Sequence, residues 1–475
     1  MFIYLAVEYS CMPPSFVNRS EELSRMQRAY ESDTAEFVVI LGRRRIGKSA
    51  LVRESIPDEN AIYYQATRDT AAVQLSDFIG EAQAAFSGIE RIRKGWEALL
   101  GYLGEQNATV IIDEWPFLVE ADSSVPTKFQ RVWDTELEAT GMTLVLIGSA
   151  ISIMTNKITE QDAPLYNRDT VRLDLAPLSL GDAAPYYPAT ADEPIGILES
   201  WSIFGGTPFY LQLLSPDESL ATNVNRHIIS QHGRLHGEPE TIIQAESVRK
   251  PERYMSILRA LADGKRETGE IADYAGFDDS RGVWRYAERL KQLRLIEEDQ
   301  PVTEETSSPK RYRIQEPLFR FWFRFLYGTN PEHVTADDPF TEQIRPEFPA
   351  YAGRIFEGVC RDALPVLFPE ASFSRIGGWW DSEGELDVVG LDHTGRVIGG
   401  ESKFTASPMH VGHLDAIETR TERIEWTPPN VPEVTRQYCL FSRSGFTAAL
   451  EETAQTRDDV YLFSVADVVT ALTGD

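Results

Sequence analysis

Lys48 is the side chain best placed by its neighbours to do chemistry. It closes the string Gly42-Arg43-Arg44-Arg45-Ile46-Gly47-Lys48-Ser49, with the apolar run FVVIL before it and the helical stretch ALVRES after it. Strand, glycine-bounded loop and helix, in that order, make a phosphate cradle. Gly42 and Gly47 let the loop curl, so that the backbone N–H groups of the loop, with Arg43, Arg44, Arg45 and Ile46 between the glycines, turn inward toward phosphate oxygens. The helix N-terminus adds its positive end. Lys48 then reaches the β and γ phosphates and Ser49 offers a hydroxyl to Mg²⁺. The expected ligand is ATP with Mg²⁺. A chance match in a glycine-containing turn is the alternative, and the strand and helix on either side argue against it.

About seventy residues on, TVIIDEW (109–115) is an apolar strand ending in two acids. Asp113 is expected in the Mg²⁺ shell, and Glu114 is expected to orient and polarise the attacking water. A solvated strand end would look the same in isolation; following a phosphate loop, it does not stand in isolation. The strand LVLIG ends at Ser149, which is either a sensor of the γ-phosphate or a plain strand-end serine. PLYNR places Arg168 just before the next strand, where it could stabilise phosphoryl charge in cis or toward a neighbour. At 205–211, GGTPFYL combines two glycines, which permit close backbone approach, with Pro208, which suits a first helical turn.

These strings, FVNRSEEL (16–23), GRRRIGKS, IIDEW, the strand-end GS, PLYNR and GGTPFYL, resemble in content and order the archaeal AAA-type P-loop ATPases related to the STAND class. The resemblance runs over 16–475. It implies an α/β P-loop fold with a parallel sheet, a lid beginning near Pro208 that packs on the nucleotide, a winged-helix unit, and a C-terminal nuclease-like domain of poorly defined function. Trp115-Pro116 departs from the family pattern and leaves the two acids untouched.

The C-terminal part carries a second constellation. A helix over 350–362 holds Glu357, the strand ELDVVG holds Asp387, and VIGGESKF holds Glu401 and Lys403, two residues apart and so on one face. Helix glutamate, strand aspartate and E-x-K form the pattern of PD-(D/E)xK nucleases. Asp387 and Glu401 would bind Mg²⁺ or Mn²⁺, Glu357 would complete the shell, and Lys403 would orient or activate the water. The competing reading is an ordinary surface strand in an acid-rich chain. His393, His410 and His413 lie nearby and read as solvated side chains, although the i, i+3 pair could take a metal.

These residues need elements to hold them. Short apolar strands over 37–41, 61–66, 109–112, 144–148 and 171–175 alternate with helical stretches, which implies a parallel sheet wrapped by helices. The expected domains are a P-loop ATPase domain over 12–180, a helical lid over 181–250, a winged helix-turn-helix over 251–328 and a nuclease-like α/β domain over 340–475. In the winged unit, Thr268 is the expected cap of the second helix. The third helix, 279–293, carries Arg281, Arg285, Arg289 and Lys291 and reads as a recognition helix for DNA phosphates. Glu304 and Glu305 at the wing tip oppose DNA, so docking to protein stays open. The aromatic run EPLFRFWFRFLY (316–327) reads as a buried packing helix rather than a base-stacking surface.

Composition sets the outer limits. The chain has 475 residues, with 74 acidic and 46 basic side chains and a net charge of −28, and only nine of the basic residues are lysine. Acid excess spread along the whole chain, with few lysines, fits a protein adapted to concentrated salt. Two of the nine lysines, Lys48 and Lys403, fall inside the two motifs. Cys11, Cys360 and Cys439 are too scattered for a disulfide framework or a zinc site, which suits a reducing cytoplasm. No apolar run reaches the length of a membrane span, and the pattern starting at Phe16 makes Met12 an alternative initiator to Met1. The expected partners are ATP, with DNA, a protein partner or self-association beside it, and no membrane. Two functions follow: an ATP-driven regulator or motor acting on a nuclease-like domain, or a STAND-type switch whose terminal domain only binds a partner.

Overall fold

The structure is a computed structural model that describes residues 18–188, 193–246, 250–303, 310–329, 337–426, 428 and 434–474. Met1, Cys11, Met12, Phe16 and the wing-tip acids Glu304 and Glu305 lie outside the described residues. The chain divides into two compact units, one ending at 177 and regaining 207–209, the other formed by 178–206 and 210–475.

In the first unit, five parallel strands form one sheet: β1 (Glu36–Leu41), β2 (Ala61–Gln65), β3 (Thr109–Asp113), β4 (Thr143–Ile147) and β5 (Val171–Asp174), in the order β2-β3-β4-β1-β5. The sequence dictates which strands are central. In β1, Phe37, Val39 and Leu41 enter one apolar core while Val38 and Ile40 enter the other, so helices must cover both faces. β3 and β4 are buried at every position, whereas the edge strands β2 and β5 alternate. Helix α1 (Lys48–Ser55) follows β1 directly. Parallel strands bring all their carboxyl ends to one edge, where ligands bind in such sheets. Because β4 lies between β1 and β3, the residue just past β4, Ser149, must sit between the loop after β1 and the acids at the end of β3.

The second unit begins with helical segments, among them α2 (Glu193–Phe204). Three helices then precede a hairpin: α3 (Pro251–Ala262), α4 (Thr268–Ala275), α5 (Ser280–Gln292), β6 (Ile296–Asp299) and β7 (Arg311–Ile314), with β6 and β7 antiparallel. The cap of α4 is Glu267, not Thr268: its side chain and that of Glu270 form a reciprocal capping box, the longer carboxylate reaching the orphan N–H groups from one residue earlier. Asp279 caps α5, accepting from the Gly282 N–H at 3.0 Å. Val283, Tyr286, Ala287 and Leu290 make the buried stripe of α5, which leaves Trp284 58% exposed. Helix α6 (Pro317–Phe325) buries Leu318, Phe319, Phe321, Trp322 and Phe323, so its aromatics are packing residues.

The same unit ends in helix α7 (Phe348–Leu367) and a mixed sheet. Its strands are β8 (Phe373–Trp380), β9 (Glu385–Asp392), β10 (Arg396–Lys403), β11 (Thr435–Ser442) and β12 (Val460–Ser464), in the order β12-β11-β10-β9-β8. β8, β9 and β10 form an antiparallel meander. Helix α8 (Val411–Thr421) then carries the chain across to β11, parallel to β10, and β12 adds parallel to β11. No described helix is long and apolar enough to cross a membrane.

Candidate functional site

The phosphate loop is built on left-handed backbone. Gly42 has φ 148°, Arg45 75° and Gly47 93°. A Cβ on Gly42 would lie 2.9 Å from the Leu175 carbonyl oxygen, so only glycine fits where β1 turns into the loop. Ile46 is buried and anchors the loop, Arg44 is exposed, and Arg43 is only 9% exposed. Lys48 is buried at the start of α1, where its Nζ donates to the carbonyls of Gly42 and Arg43 at 2.8 Å each. The ammonium is therefore held across the mouth of the loop by two carbonyls. Pro208 and Phe209 lie against the same loop: the Arg45 guanidinium sits 3.9 Å from the Phe209 ring centroid, and Pro208 Cγ is 3.9 Å from the position a Cβ on Gly47 would take.

The Ser49 hydroxyl donates to Asp113 Oδ2 at 2.6 Å, which joins the loop to the end of β3. Tyr63, on the neighbouring strand β2, donates its hydroxyl to the same oxygen at 2.5 Å, and the Glu114 N–H donates to Oδ1 at 2.8 Å. Burial first, and then the hydrogen bond to Asp113, push the Tyr63 phenol up to about 12, so it remains a donor. Glu114 itself sits at φ 54°, a sparsely populated conformation for a non-glycine residue. The Ser149 hydroxyl lies 2.8 Å from both Glu114 carboxylate oxygens, and the Ser149 N–H donates to Oε2 at 3.3 Å. The structure thus brings Lys48, Ser49, Asp113, Glu114 and Ser149 to one sheet edge, with Tyr63 as a partner that the sequence alone did not single out.

Arg168 is elsewhere. It precedes β5, at the sheet edge opposite the phosphate loop, and it makes a bidentate ion pair with Asp134 at 2.6 and 2.8 Å. A role in cis on the same nucleotide does not fit that placement.

In the second unit, Asp387 (β9) and Glu401 (β10) lie on adjacent strands, and Glu357 faces them from α7. Asp387 Oδ2 accepts from the Ser402 N–H at 2.9 Å. Glu401 is fully engaged: Lys403 Nζ lies 2.5 Å from Oε1, and Arg420 Nη1, from α8, donates to Oε2 at 3.0 Å. Glu357 lies 3.8 Å from Arg266. Among the described residues no group of three or more acidic, histidine or cysteine side chains is placed to hold a metal ion. The expected shell of Glu357, Asp387 and Glu401 is therefore not a ready-made cation cage, because two cationic side chains already satisfy Glu401. Burial most strongly opposes the charge on Lys403, yet its hydrogen bond to Glu401 and the charges of Glu401 and Asp387 together outweigh burial and hold the ammonium above its usual value. His410 and His413 cap α8 and each other, their ring nitrogens accepting from the Gly412 and His410 N–H groups at 3.2 and 3.1 Å.

Residues 16–214 match a family described as an ATPase domain predominantly from Archaea, and 322–417 match a family of archaeal and bacterial proteins of unknown function. An uncharacterized protein of Methanocaldococcus jannaschii is 31% identical over 382 residues, which is 79% of this chain and 84% of that one. The chain belongs to this family of archaeal ATPases. Among solved structures, the Walker-type ATPase of Pyrococcus abyssi is similar over 65% of this ATPase and 96% of that chain, with 20% identity and a TM-score of 0.48. The signal transduction ATPase with numerous domains and a tetratricopeptide repeat sensor from Pyrococcus horikoshii is similar over 76% and 52%, with 15% identity and a TM-score of 0.31.

Glu357 of this ATPase gives a pH-dependent prediction. Burial, then the nearby Asp387 charge, push its carboxyl up to about 7. A carboxyl whose folded value is raised binds its proton more tightly folded than unfolded, so folding loses stability as pH climbs from the ordinary value of 4.5 to about 7. Glu357→Gln removes that loss. Urea melts at pH 5.5 and pH 8 are expected to show the variant gaining on the wild type by on the order of 2 kcal/mol across that interval. Parallel pH dependences in the two proteins would show that Glu357 is not a strained buried acid.

Proposed function

We propose that the protein hydrolyses ATP with Mg²⁺ and that this cycle governs a second unit acting on nucleic acid. The observation that carries the first half is the Ser49–Asp113 hydrogen bond, which fixes a hydroxyl and a carboxylate oxygen 2.6 Å apart beneath the phosphate loop. Those hard oxygens fit Mg²⁺, which would be held by Ser49 and Asp113 and would neutralise phosphate charge. The protein's own groups do the rest. Loop N–H groups and Lys48 bind the phosphates, Glu114 orients the attacking water and draws on its proton, and the Ser149 hydroxyl holds the Glu114 carboxylate in place.

For the second unit, the support is the antiparallel meander with a helix crossing to a parallel strand, carrying Asp387, Glu401 and Lys403 on adjacent strands beside Glu357. That is the arrangement expected of a PD-(D/E)xK domain. Among the described residues, the carboxylates as they stand do not form a cation site. One observation favours a second reading, in which the terminal domain only binds a partner as a STAND-type switch does: Glu401 is neutralised by Lys403 and Arg420. The deciding experiment incubates the full chain with labelled DNA and with RNA in concentrated salt with Mn²⁺, with and without ATP, and follows both strand scission and phosphate release. Nucleic-acid-stimulated phosphate release, or scission that depends on ATP, supports the first reading. ATP turnover indifferent to nucleic acid, with nucleotide-dependent association of the protein, supports the switch.

A further inference from the structure

The second unit contains a cavity of about 390 Å³ between the winged-helix elements and α7. Six arginines line it: Arg266, Arg313, Arg320, Arg324, Arg354 and Arg361. In a chain with 74 acidic against 46 basic side chains, such a gathering runs against the composition. Some of these cations are compensated. Arg324 pairs with Asp263 at 2.9 Å and Glu347 at 2.8 Å, Arg313 with Glu297 at 2.7 Å, and Arg361 with Asp299 at 3.4 Å. Arg320 and Arg354 make no ion pair with a carboxylate among the described residues. The Nη2 of Arg320 donates to the Ile314 carbonyl at 2.9 Å. The Arg354 guanidinium lies over Gly264, whose φ of 89° calls for glycine in the turn after α3, and a Cβ there would come within 2.5 Å of Nη1. Burial, with Arg266 beside it, weakens the hold of Arg354 on its proton. Six guanidiniums face only four wall carboxylates, Asp263, Asp299, Glu347 and Glu357, the last of them 3.8 Å from Arg266, and the excess of cations is one that an anion would fill; their planar forks match the oxygens of phosphate.

The cavity also adjoins the C-terminal acids. Glu357 is part of its wall, and Arg361, another wall residue, donates its Nε to the backbone carbonyl of Asp387 at 2.6 Å. An anion seated here would lie beside Glu357, and Arg361 links that wall to the backbone of β9 at Asp387. We propose that this cavity seats the backbone phosphates of a nucleic-acid strand, with Arg266, Arg320 and Arg354 as the binding cations, and presents the strand to Asp387 and Glu401. The inference rests on the reading that the second unit acts on nucleic acid, and it names the surface by which it does so.

The test uses the full chain and a fluorescent single-stranded oligonucleotide in EDTA, so that binding is read apart from any scission. Arg354→Gln and Arg266→Gln are each expected to weaken binding about tenfold and to lower the salt dependence by about one phosphate contact, while Arg354→Lys retains most of the affinity. Arginine labelling of the wild type by phenylglyoxal, read by mass spectrometry, needs no variant to fold. Saturating oligonucleotide is expected to slow labelling of Arg354 and Arg266 at least several-fold, and ATP or inorganic phosphate at the same concentration to slow it much less. Equal protection by ATP or phosphate would overturn the assignment to nucleic acid. Oligonucleotide binding with neither protection nor any effect of the substitutions would overturn the cavity while leaving the function of the unit intact. Failure to bind any oligonucleotide would remove the functional reading and this inference together.

Discussion

Lys48→Ala is expected to abolish tight ATP binding. The lysine is the buried cation at the start of α1, and its Nζ is already positioned by the carbonyls of Gly42 and Arg43, so no reorganisation is needed when phosphate oxygens replace them. Two charge-assisted hydrogen bonds to phosphate contribute roughly 3–6 kcal/mol, so their loss should raise the Kd about 10²–10⁴-fold. Two of the three loop arginines are engaged elsewhere: Arg44 is exposed, and the Arg45 guanidinium rests on the Phe209 ring. Calorimetry with ATP and Mg²⁺ reads the affinity. A melt without ATP checks the fold, and a change of only about 1 kcal/mol is expected there, since the two freed carbonyls can turn to water. Unchanged ATP affinity in a folded variant would sink the phosphate-loop assignment.

The first unit was legible because each of its strands is fixed by local chemistry. β1, β3 and β4 are apolar at almost every position, which only a sheet covered on both faces can bury, and the structural strands start and end within about a residue of the apolar runs. The strand order also makes the position of Ser149 readable once β4 is known to separate β1 from β3. For Arg168, geometry argues against the in-cis half of the reading and leaves the role toward a neighbour untouched. An arginine placed before a parallel strand belongs at the edge opposite the phosphate loop, and the polarity of β5 carried that information. The α4 cap was misassigned because threonine and glutamate compete for adjacent positions, and only the backbone path decides which one reaches the free N–H groups.

The second site was legible in placement but not in charge state. Spacing of two along β10 puts Glu401 and Lys403 on one face, as expected. The same proximity lets a long lysine neutralise the acid. Arg420 completes that neutralisation from a different element, nineteen residues further along, and a contact of this kind depends on how α8 packs against β10 rather than on any local string. Tyr63 is similar: its hydroxyl meets Asp113 because β2 and β3 are neighbours, a pairing that separates the two residues by fifty positions in the chain. The arginine cavity escaped sequence reading for the same reason, since its six arginines come from α6, α7, β7 and the turn after α3.

Glu114→Gln is expected to leave ATP affinity within a few-fold of wild type and to lower the hydrolysis rate at least a hundredfold, within the range ascribed to a positioned general base. The amide occupies the same volume and still offers one oxygen to the Ser149 hydroxyl, which now lies 2.8 Å from both carboxylate oxygens. What it lacks is the charge that polarises water and the second oxygen able to accept a proton. The positive φ of Glu114 strengthens the expectation: the chain tolerates a strained conformation at the residue next to Asp113, and the strain turns the carboxylate toward Ser149 at the sheet edge where the γ-phosphate would lie. Asp113→Asn makes the contrasting control, because its oxygen accepts from both Ser49 and Tyr63, so that variant should lose Mg²⁺-dependent binding as well as turnover. Steady-state phosphate release and calorimetry together separate the two outcomes. Wild-type turnover in Glu114→Gln would place the water-orienting group elsewhere, and a parallel loss of ATP affinity would make Glu114 a structural acid that holds the end of β3 rather than a group that acts on water.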